Sequence, residues 1–344
     1  MIYINLLIIF IVLIFIHELG HYTAARLFGI KVTDFSIGFG KTLLSFTDKN
    51  NTKWKISLIP LGGYVKIKGL ESILQNLDKK DNEIDSFGSL NLFQKYIILV
   101  AGSFFNIFSA WICLFSVLFF FGIASFSPQI GEVIENSAAY KNDIRVGDTV
   151  LEVNGITINE FNDISGSLKN SKFVSIKILR NNNIIDKKFE LIFNNDLNKY
   201  LIGISSTKVP NIEKFSFKKS FVQSISFIPN YYYATYNYLI LSFNNNTIIN
   251  EVAGPIGIVK MADQLMLDKI KGILFLFIMI SLFVAIFNLL PIPLLDGGHL
   301  IYFTLRSFFS NSLPEYITRI YLAIGITIIS FLFIVVTFND IFNK

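Results

Sequence analysis

Residues 6–21 read Leu-Leu-Ile-Ile-Phe-Ile-Val-Leu-Ile-Phe-Ile-His-Glu-Leu-Gly-His. An uninterrupted apolar run meets three ionisable side chains inside its last five positions. A bilayer crossing needs about 20 mostly apolar residues, and the stretch from residue 2 to about 28 supplies them. It has neither a basic n-region nor a small-residue cleavage pattern, so it reads as a span rather than a discarded leader. Three more segments qualify: residues 97–126, 273–295 and 320–338, all without a charge. The lysines between residues 31 and 95, with Arg306 and Arg319 between the third and fourth spans, put those two loops in the cytoplasm. Both termini and the long region 127–272 are then expected outside.

Composition agrees. Of 344 residues, 52% are hydrophobic and 16% charged, against about 25% charged in an ordinary soluble domain. The mean hydropathy is +0.54. This excludes a disordered chain and an entirely soluble one. The net charge of +5 suits a protein beside anionic lipid, and the lack of a basic array excludes nucleic acid as an expected partner. A single cysteine, Cys113, rules out an intrachain disulfide framework and reads as a small core residue.

Between the spans, residues 35–40 and 54–59 alternate or are β-rich. Pro60-Leu61-Gly62-Gly63 is a turn and residues 64–68 a further strand. One or two β-hairpins are expected there, either as a plain surface feature or as a membrane-associated sheet edge able to pair with an extended peptide. Residues 70–90 predict a mobile polar loop. Residues 127–207 predict a small α/β domain, with strands at 130–134, 150–153, 174–179, 187–193 and 201–205 and short helices at 137–140 and 161–168. Residues 215–243, rich in tyrosine, predict a helix, either interfacial or buried.

The chemistry lies in His17-Glu18-Leu19-Gly20-His21. Positions i and i+4 share a helix face. Two imidazoles so placed can bind one Zn²⁺, and the intervening Glu18 can act as a general base toward water. Ionisable groups inside a span are costly and usually functional. A catalytic zinc site takes three protein ligands. His299 and Asp296 are the candidates for the third. Asp296 is the ninth residue of Asn288-Leu289-Leu290-Pro291-Ile292-Pro293-Leu294-Leu295-Asp296-Gly297, a carboxylate after a mostly apolar run. There two prolines break the helix and glycine permits an unusual backbone path. Zn²⁺ with Asp296⁻ and Glu18⁻ is formally neutral, which favours the aspartate.

These motifs resemble the site-2 protease family of intramembrane zinc metalloproteases, and most closely its bacterial regulator-of-sigma-E type. Residues 17–21 are similar to the family's first zinc motif, residues 35–41 and 59–66 to its membrane-associated β region, and residues 288–297 to its second zinc motif. Gly102-Ser103-Phe104-Phe105-Asn106 resembles the family's second-span motif, with Ser103 where proline is usual. The resemblance implies zinc bound by His17, His21 and Asp296, Glu18 as catalytic base, and Asn288 as a holder of the unwound substrate backbone. It also implies substrates that are single-pass transmembrane proteins, such as an anti-sigma factor or a remnant signal peptide, in a bacterial inner membrane. Residues 127–207 resemble a PDZ domain, expected on the extracytoplasmic side and able to take a peptide ligand. The best-known type carries two such domains in tandem, and this chain has room for one.

The fold class expected is therefore a polytopic α-helical membrane protein with about four transmembrane helices, a membrane-associated β-hairpin region and one inserted PDZ-like α/β domain. In order, the parts are a first span over 1–28 and the hairpin loop over 29–94. A second span over 95–126, the PDZ-like domain over 127–207 and an interfacial helical region over 208–272 follow. A third span bearing the aspartate occupies 273–299, a cytoplasmic connection 300–319, and a fourth span and tail 320–344. Two rival functions are a noncatalytic membrane PDZ scaffold, which needs no His-Glu-x-x-His, and a metal transporter, which favours ionisable residues spread over more spans.

Overall fold

The computed structural model describes residues 2–71, 84–168, 171–194, 199–207, 211–244, 269–309 and 314–342. It divides into two compact units, one of residues 1–117 with 218–344 and one of residues 118–217.

The first unit opens with helix α1 (Ile2–Leu27). It ends in a turn where Gly29 takes φ +75°. The Gly29 N–H bonds Arg26 O and the Ile30 N–H bonds Ala25 O, closing the last carbonyls in the manner of a glycine C-cap. Ile30 is then fully buried. Strands β1 (Val32–Thr47) and β2 (Lys53–Ile67) follow. Both are long enough to bend back and pair twice. Residues 32–37 of β1 lie between residues 63–67 and 53–56 of β2, and residues 42–47 pair with 53–57 on the far side. The two strands thus make a four-segment mixed sheet, in which residues 34–37 run parallel to 53–56 and the two outer pairings are antiparallel, with residues 63–67 as one edge. Its far end exposes Leu43, Leu44, Phe46 and Leu58, an apolar surface of the kind that meets lipid or another protein. Asp48 at its turn accepts the backbone N–H groups of Asn50 and Thr52, the Trp54 indole N–H and the Tyr22 hydroxyl of α1. Burial would raise this carboxyl, but those donors hold it below the usual carboxylate range. The stacked Phe35–Trp54 pair and Tyr22 fasten the sheet to α1.

Of the expected loop over 70–90, residues 72–83 lie outside the described residues. Residues 87–89 form a short 3-10 turn that buries Phe87 completely. Helix α2 (Leu92–Ser116) starts with a reciprocal cap between Asn91 and Gln94 and stays helical to Phe121. Helix α3 (Phe217–Asn244) covers the tyrosine-rich stretch. Phe221 packs edge-on against Trp111 of α2. Much of the interfacial region expected over 208–272 lies outside the described residues. Helix α4 (Lys269–Asn288) carries the third apolar segment, and the Tyr232 hydroxyl of α3 donates to its Leu282 carbonyl at 3.1 Å.

The third apolar segment breaks at its prolines, as the sequence reading expects, but the helix stops at Asn288, short of the expected span end at residue 299, and a new one, α5 (Asp296–Phe308), begins at the aspartate. Pro291 and Pro293 lack the N–H that a continuing helix needs. Between them the chain makes tight turns, with Leu290 O taking the Ile292 N–H and Ile292 O the Leu295 N–H. Helix α6 (Glu315–Phe342) completes the unit. Among the described residues, four helical stretches, Ile4–Leu27, Leu92–Phe121, Ile270–Asn288 and Glu315–Phe342, are long and apolar enough to cross a membrane. That makes this a multi-pass membrane protein.

Among the described residues, the second unit holds ten short strands. They are β3 (Ile123–Ser125), β4 (Ile130–Val133), β5 (Thr149–Val153), β6 (Ile156–Thr157), β7 (Phe173–Arg180), β8 (Asn183–Glu190), β9 (Ile192–Asn194), β10 (Lys199–Leu201), β11 (Ile204–Ser206) and β12 (Asn211–Glu213). A four-stranded sheet runs β6-β5-β7-β8, while β3 pairs β12, β4 pairs β11 and β9 pairs β10. Asn154-Gly155 and Asn181-Asn182 turn two hairpins with positive φ at both central residues, as such turns require. The expected strand over 201–205 is broken at Gly203, where φ is +84°. Ile130, Ala139, Val150, Val153, Ile176 and Ile178 form the core. Arg180 grips buried Asp148 with two 2.7 Å bonds.

Candidate metal centre

His17 and His21 sit one turn apart on α1, their rings edge to face with centroids 4.8 Å apart. Their Nε2 atoms are 3.2 Å from each other. Asp296, the first residue of α5, brings Oδ2 to 3.3 Å from His17 Nε2 and 3.4 Å from His21 Nε2. These three are the group of metal-type donors that the described residues bring together. All three side chains are largely buried. Loop carbonyls fix where the aspartate points. A Cβ on Gly297 would lie 2.1 Å from Leu289 O, and one on Gly298 2.1 Å from Ile292 O, so only glycine lets the turn fold back against the start of α5. Leu294, at φ +80°, is a leucine in the left-handed region, a cost of about 1–3 kcal/mol carried by this loop.

The donors fit a zinc ion. The His21 Nδ1–H donates to Ile98 O at 2.8 Å, which leaves Nε2 as a bare lone pair facing the aspartate. Asp296 Oδ2 is buried with no hydrogen-bond donor. Lone pairs held this close repel unless a cation lies among them. A tetrahedral ion with bonds of about 2.0–2.1 Å spaces its donors about 3.3–3.4 Å apart, and the three observed separations match that edge. Two imidazoles and a carboxylate are a donor set that zinc takes with one position left over.

Helix α2 makes room for the ion. A Cβ on Gly102 would fall 2.4 Å from His21 Nε2 and 2.8 Å from His17 Nε2. Gly20 on α1 faces the same crossing, its Cβ position 2.3 Å from Ala101 O, so the helices touch backbone to backbone beside the histidines.

Glu18 lies beside the donors and takes the backbone N–H of Val65. Val65 is on the 63–67 edge of the sheet. Gly63 passes so close to α1 that a Cβ would meet Ile14 Cγ2 and Ser36 O at 2.7 Å and Glu18 Cγ at 3.2 Å. Asn288, the last residue of α4, holds Nδ2 3.3 Å from His17 Nε2. His299 does not join the three donors. It lies within α5, its backbone N–H on Leu295 O, its Nδ1 buried without a partner.

Every side chain the sequence nominated is thus near one point, apart from His299. The sequence reading did not assign the contributions of α2 and β2: the Ile98 carbonyl, the Gly102 gap, the Asn106 amide and the Val65 N–H. Residues 102–106 stood out as a motif, but nothing local says what a glycine and an asparagine inside an apolar helix will face.

Comparison with known proteins is consistent across the chain. A family model described as peptidase family M50 matches residues 5–332. A protein of Rickettsia conorii is 34% identical over 350 residues, covering 96% of each chain. One of Campylobacter jejuni is 34% identical, covering 96% of this chain and 90% of its own. One of Helicobacter pylori strain J99 is 32% identical over 96% of each. The names of all three contain the words zinc metalloprotease.

Proposed function

This chain belongs to peptidase family M50, the site-2 protease family, and is a zinc metallopeptidase of the membrane; from that premise we propose that it is an endopeptidase cutting transmembrane segments, with zinc held by His17, His21 and Asp296 and Glu18 as base. The observation that carries the reading is the meeting of the three donors at 3.2–3.4 Å with a carboxylate and an open strand edge beside them.

When bound, zinc supplies Lewis acidity, polarising a carbonyl and making water acidic near neutral pH. The chain's own groups do the rest. Glu18 takes a proton from the attacking water and later gives it to the leaving amide nitrogen. The Val65 N–H orients that carboxylate. A substrate helix hides its peptide bonds in its own hydrogen bonds, and lipid offers no replacement when it unwinds. The edge at residues 63–67 offers such partners by strand addition, next to Glu18. The Asn288 amide, with both a donor and an acceptor, is placed to take a further backbone group.

The substrates in this proposal are single-pass membrane proteins, an anti-sigma factor or a remnant signal peptide being the types the family resemblance suggests, cut in regulated intramembrane proteolysis. The membrane is the bacterial inner one, with residues 127–207 as a PDZ-like domain on the outer side and a peptide as its possible ligand. What supports the PDZ reading is the pairing of β11 with β4 after the Leu201-Ile202-Gly203-Ile204 loop. A noncatalytic scaffold would require neither the donor cluster nor Glu18.

The test is Glu18→Gln in the full chain with a model transmembrane substrate. Zinc content stays at the level of the unchanged protein, and cleavage falls by about 10²–10⁴-fold, the usual contribution of a general base. Unchanged cleavage refutes the assignment.

A further inference from the structure

We propose that Asn106 is a positioning residue of the metal centre: its side-chain amide oxygen accepts the Nδ1–H of His17 and thereby fixes which nitrogen of that ring faces the ion. The inference rests on the ligand set proposed above.

Asn106 lies on α2, fully buried, one turn beyond Gly102 and two beyond Ile98. Residues four apart share a helix face, so the face that clears space for the ion also reaches both imidazoles from behind. His21 is served by a backbone carbonyl, that of Ile98. Among the described residues, no carbonyl serves His17 in the same way. The polar group at its Nδ1 is the Asn106 amide, 3.3 Å away. A histidine that ligates through one nitrogen carries its proton on the other, and the group receiving that proton sets the ring's orientation and basicity.

The amide orientation follows from the proton count. His17 Nε2 points at Asp296 and His21, so it is the ligating nitrogen and Nδ1 is the donor. The facing amide atom must then accept. Nitrogen and oxygen of an asparagine are told apart by their hydrogen bonds rather than their shape. With Nδ2 turned toward His17, Asn106 Oδ1 is left buried without any donor, a cost of about 1–3 kcal/mol. Turning the amide over gives the oxygen the Nδ1–H.

The helix is held in place for this task. The Asn106 carbonyl accepts the hydroxyl protons of Ser109 and of Ser281, each at 2.9 Å. Ser281 is fully buried on α4, seven residues before Asn288. The backbone that carries the amide is therefore tied to the helix that ends at Asn288, so the amide cannot drift from the ring independently of the rest of the centre.

The experiment compares Asn106→Leu, Asn106→Asp and His17→Ala with the unchanged full chain in detergent. Zinc is removed, and affinity is measured by competition with a chromophoric chelator. Thermal unfolding of each zinc-free protein is recorded alongside. Leucine keeps the volume without an acceptor, and its zinc affinity falls about 10–100-fold, the range for losing an outer partner of a ligating histidine. Aspartate restores an acceptor and keeps the affinity of the unchanged chain. If the leucine variant does not fold, Asn106→Ala provides the same comparison. Zinc binding by the leucine or alanine variant as tight as in the unchanged chain overturns the proposal. So does an equal loss in the aspartate and leucine variants with equal drops in zinc-free melting temperature, which marks a packing role alone. Full affinity in His17→Ala instead overturns the ligand assignment beneath it.

Discussion

The sharpest consequence of the geometry concerns one methyl group. Gly102→Ala replaces a hydrogen on α2 with a Cβ lying 2.4 Å from His21 Nε2, 2.7 Å from His17 Cε1 and 2.8 Å from His17 Nε2. Carbon needs about 3.5 Å for an ordinary contact, so the rings or the helices must shift by roughly 1 Å. The helices resist, because Gly20 already meets the Ala101 carbonyl at the same crossing. The donors therefore move, by far more than the 0.2 Å or so that a metal site tolerates. Disturbing the partners of metal ligands costs about 10–100-fold in metal affinity, and both histidines move here, so the upper end is expected: about 10²-fold, or about 2.8 kcal/mol at 1.4 kcal/mol per decade. The intrinsic helix preference runs the other way, alanine being better than glycine by about 1 kcal/mol. The control is Gly166→Ala in the short helix Phe161–Ser167, where a Cβ meets nothing within 4 Å. Chelator competition on both variants, with helix content followed by circular dichroism, reads the result. Loss of zinc affinity in Gly102→Ala with unchanged helix content, and neither effect in Gly166→Ala, is expected. Zinc bound by Gly102→Ala as tightly as by the unchanged chain would show that the ion does not sit between α1 and α2.

Asp296→Ala should lower zinc affinity by 10²-fold or more while His299→Ala leaves it intact, measured by metal analysis after dialysis; the reverse pattern would make His299 the ligand. Gly63→Ala should force β2 away from α1 and carry the Val65 N–H off Glu18, cutting cleavage about 10–100-fold with zinc content unchanged; normal cleavage would remove the strand edge from the mechanism. In the second unit, Arg180→Met strands the Asp148 carboxylate, which is 2% exposed, at a cost of about 3 kcal/mol. Hydrogen exchange of the β5 and β7 amides should speed up about 100-fold at pH 7. The same network has a pH signature. Arg145 and Arg180 draw the Asp143 carboxyl down to about 2. Burial would raise Asp148, but Arg180 holds it low as well. Groups with depressed folded values stabilise above their unfolded value of about 3.9 and lose that contribution as pH falls toward the folded one. Exchange corrected for its intrinsic rate should therefore be flat from pH 8 to 5 and accelerate below about 4, with a shallower slope in Arg180→Met.

Much of this protein is written locally. The four apolar stretches declare their helices because backbone polar groups in lipid must be satisfied within the segment itself. The i, i+4 histidines declare a shared face, since helical pitch alone aligns them. Strands β4, β5, β7 and part of β8 in the second unit follow from alternation and from Asn-Gly or Asn-Asn turns. The break at Asn288 was partly visible, because the prolines forbid a continuous helix. Where the new helix starts was not, since the turn closes through Gly297 and Gly298 against carbonyls of the loop itself.

The site divides along the same line. The chain's chemistry alone nominated His17, His21, Glu18 and Asp296, as ionisable groups in apolar surroundings are costly and stand out in a sequence, while Asn288 came from the family resemblance. Formal charge already favoured Asp296 over His299, and the tertiary structure brings Asp296, not His299, beside the two imidazoles of α1. Only it placed Ile98, Gly102 and Asn106 behind the imidazoles and Val65 beside Glu18. A carbonyl, a missing side chain and a backbone N–H belong to every helix or strand, so their roles arise from where distant segments come to rest.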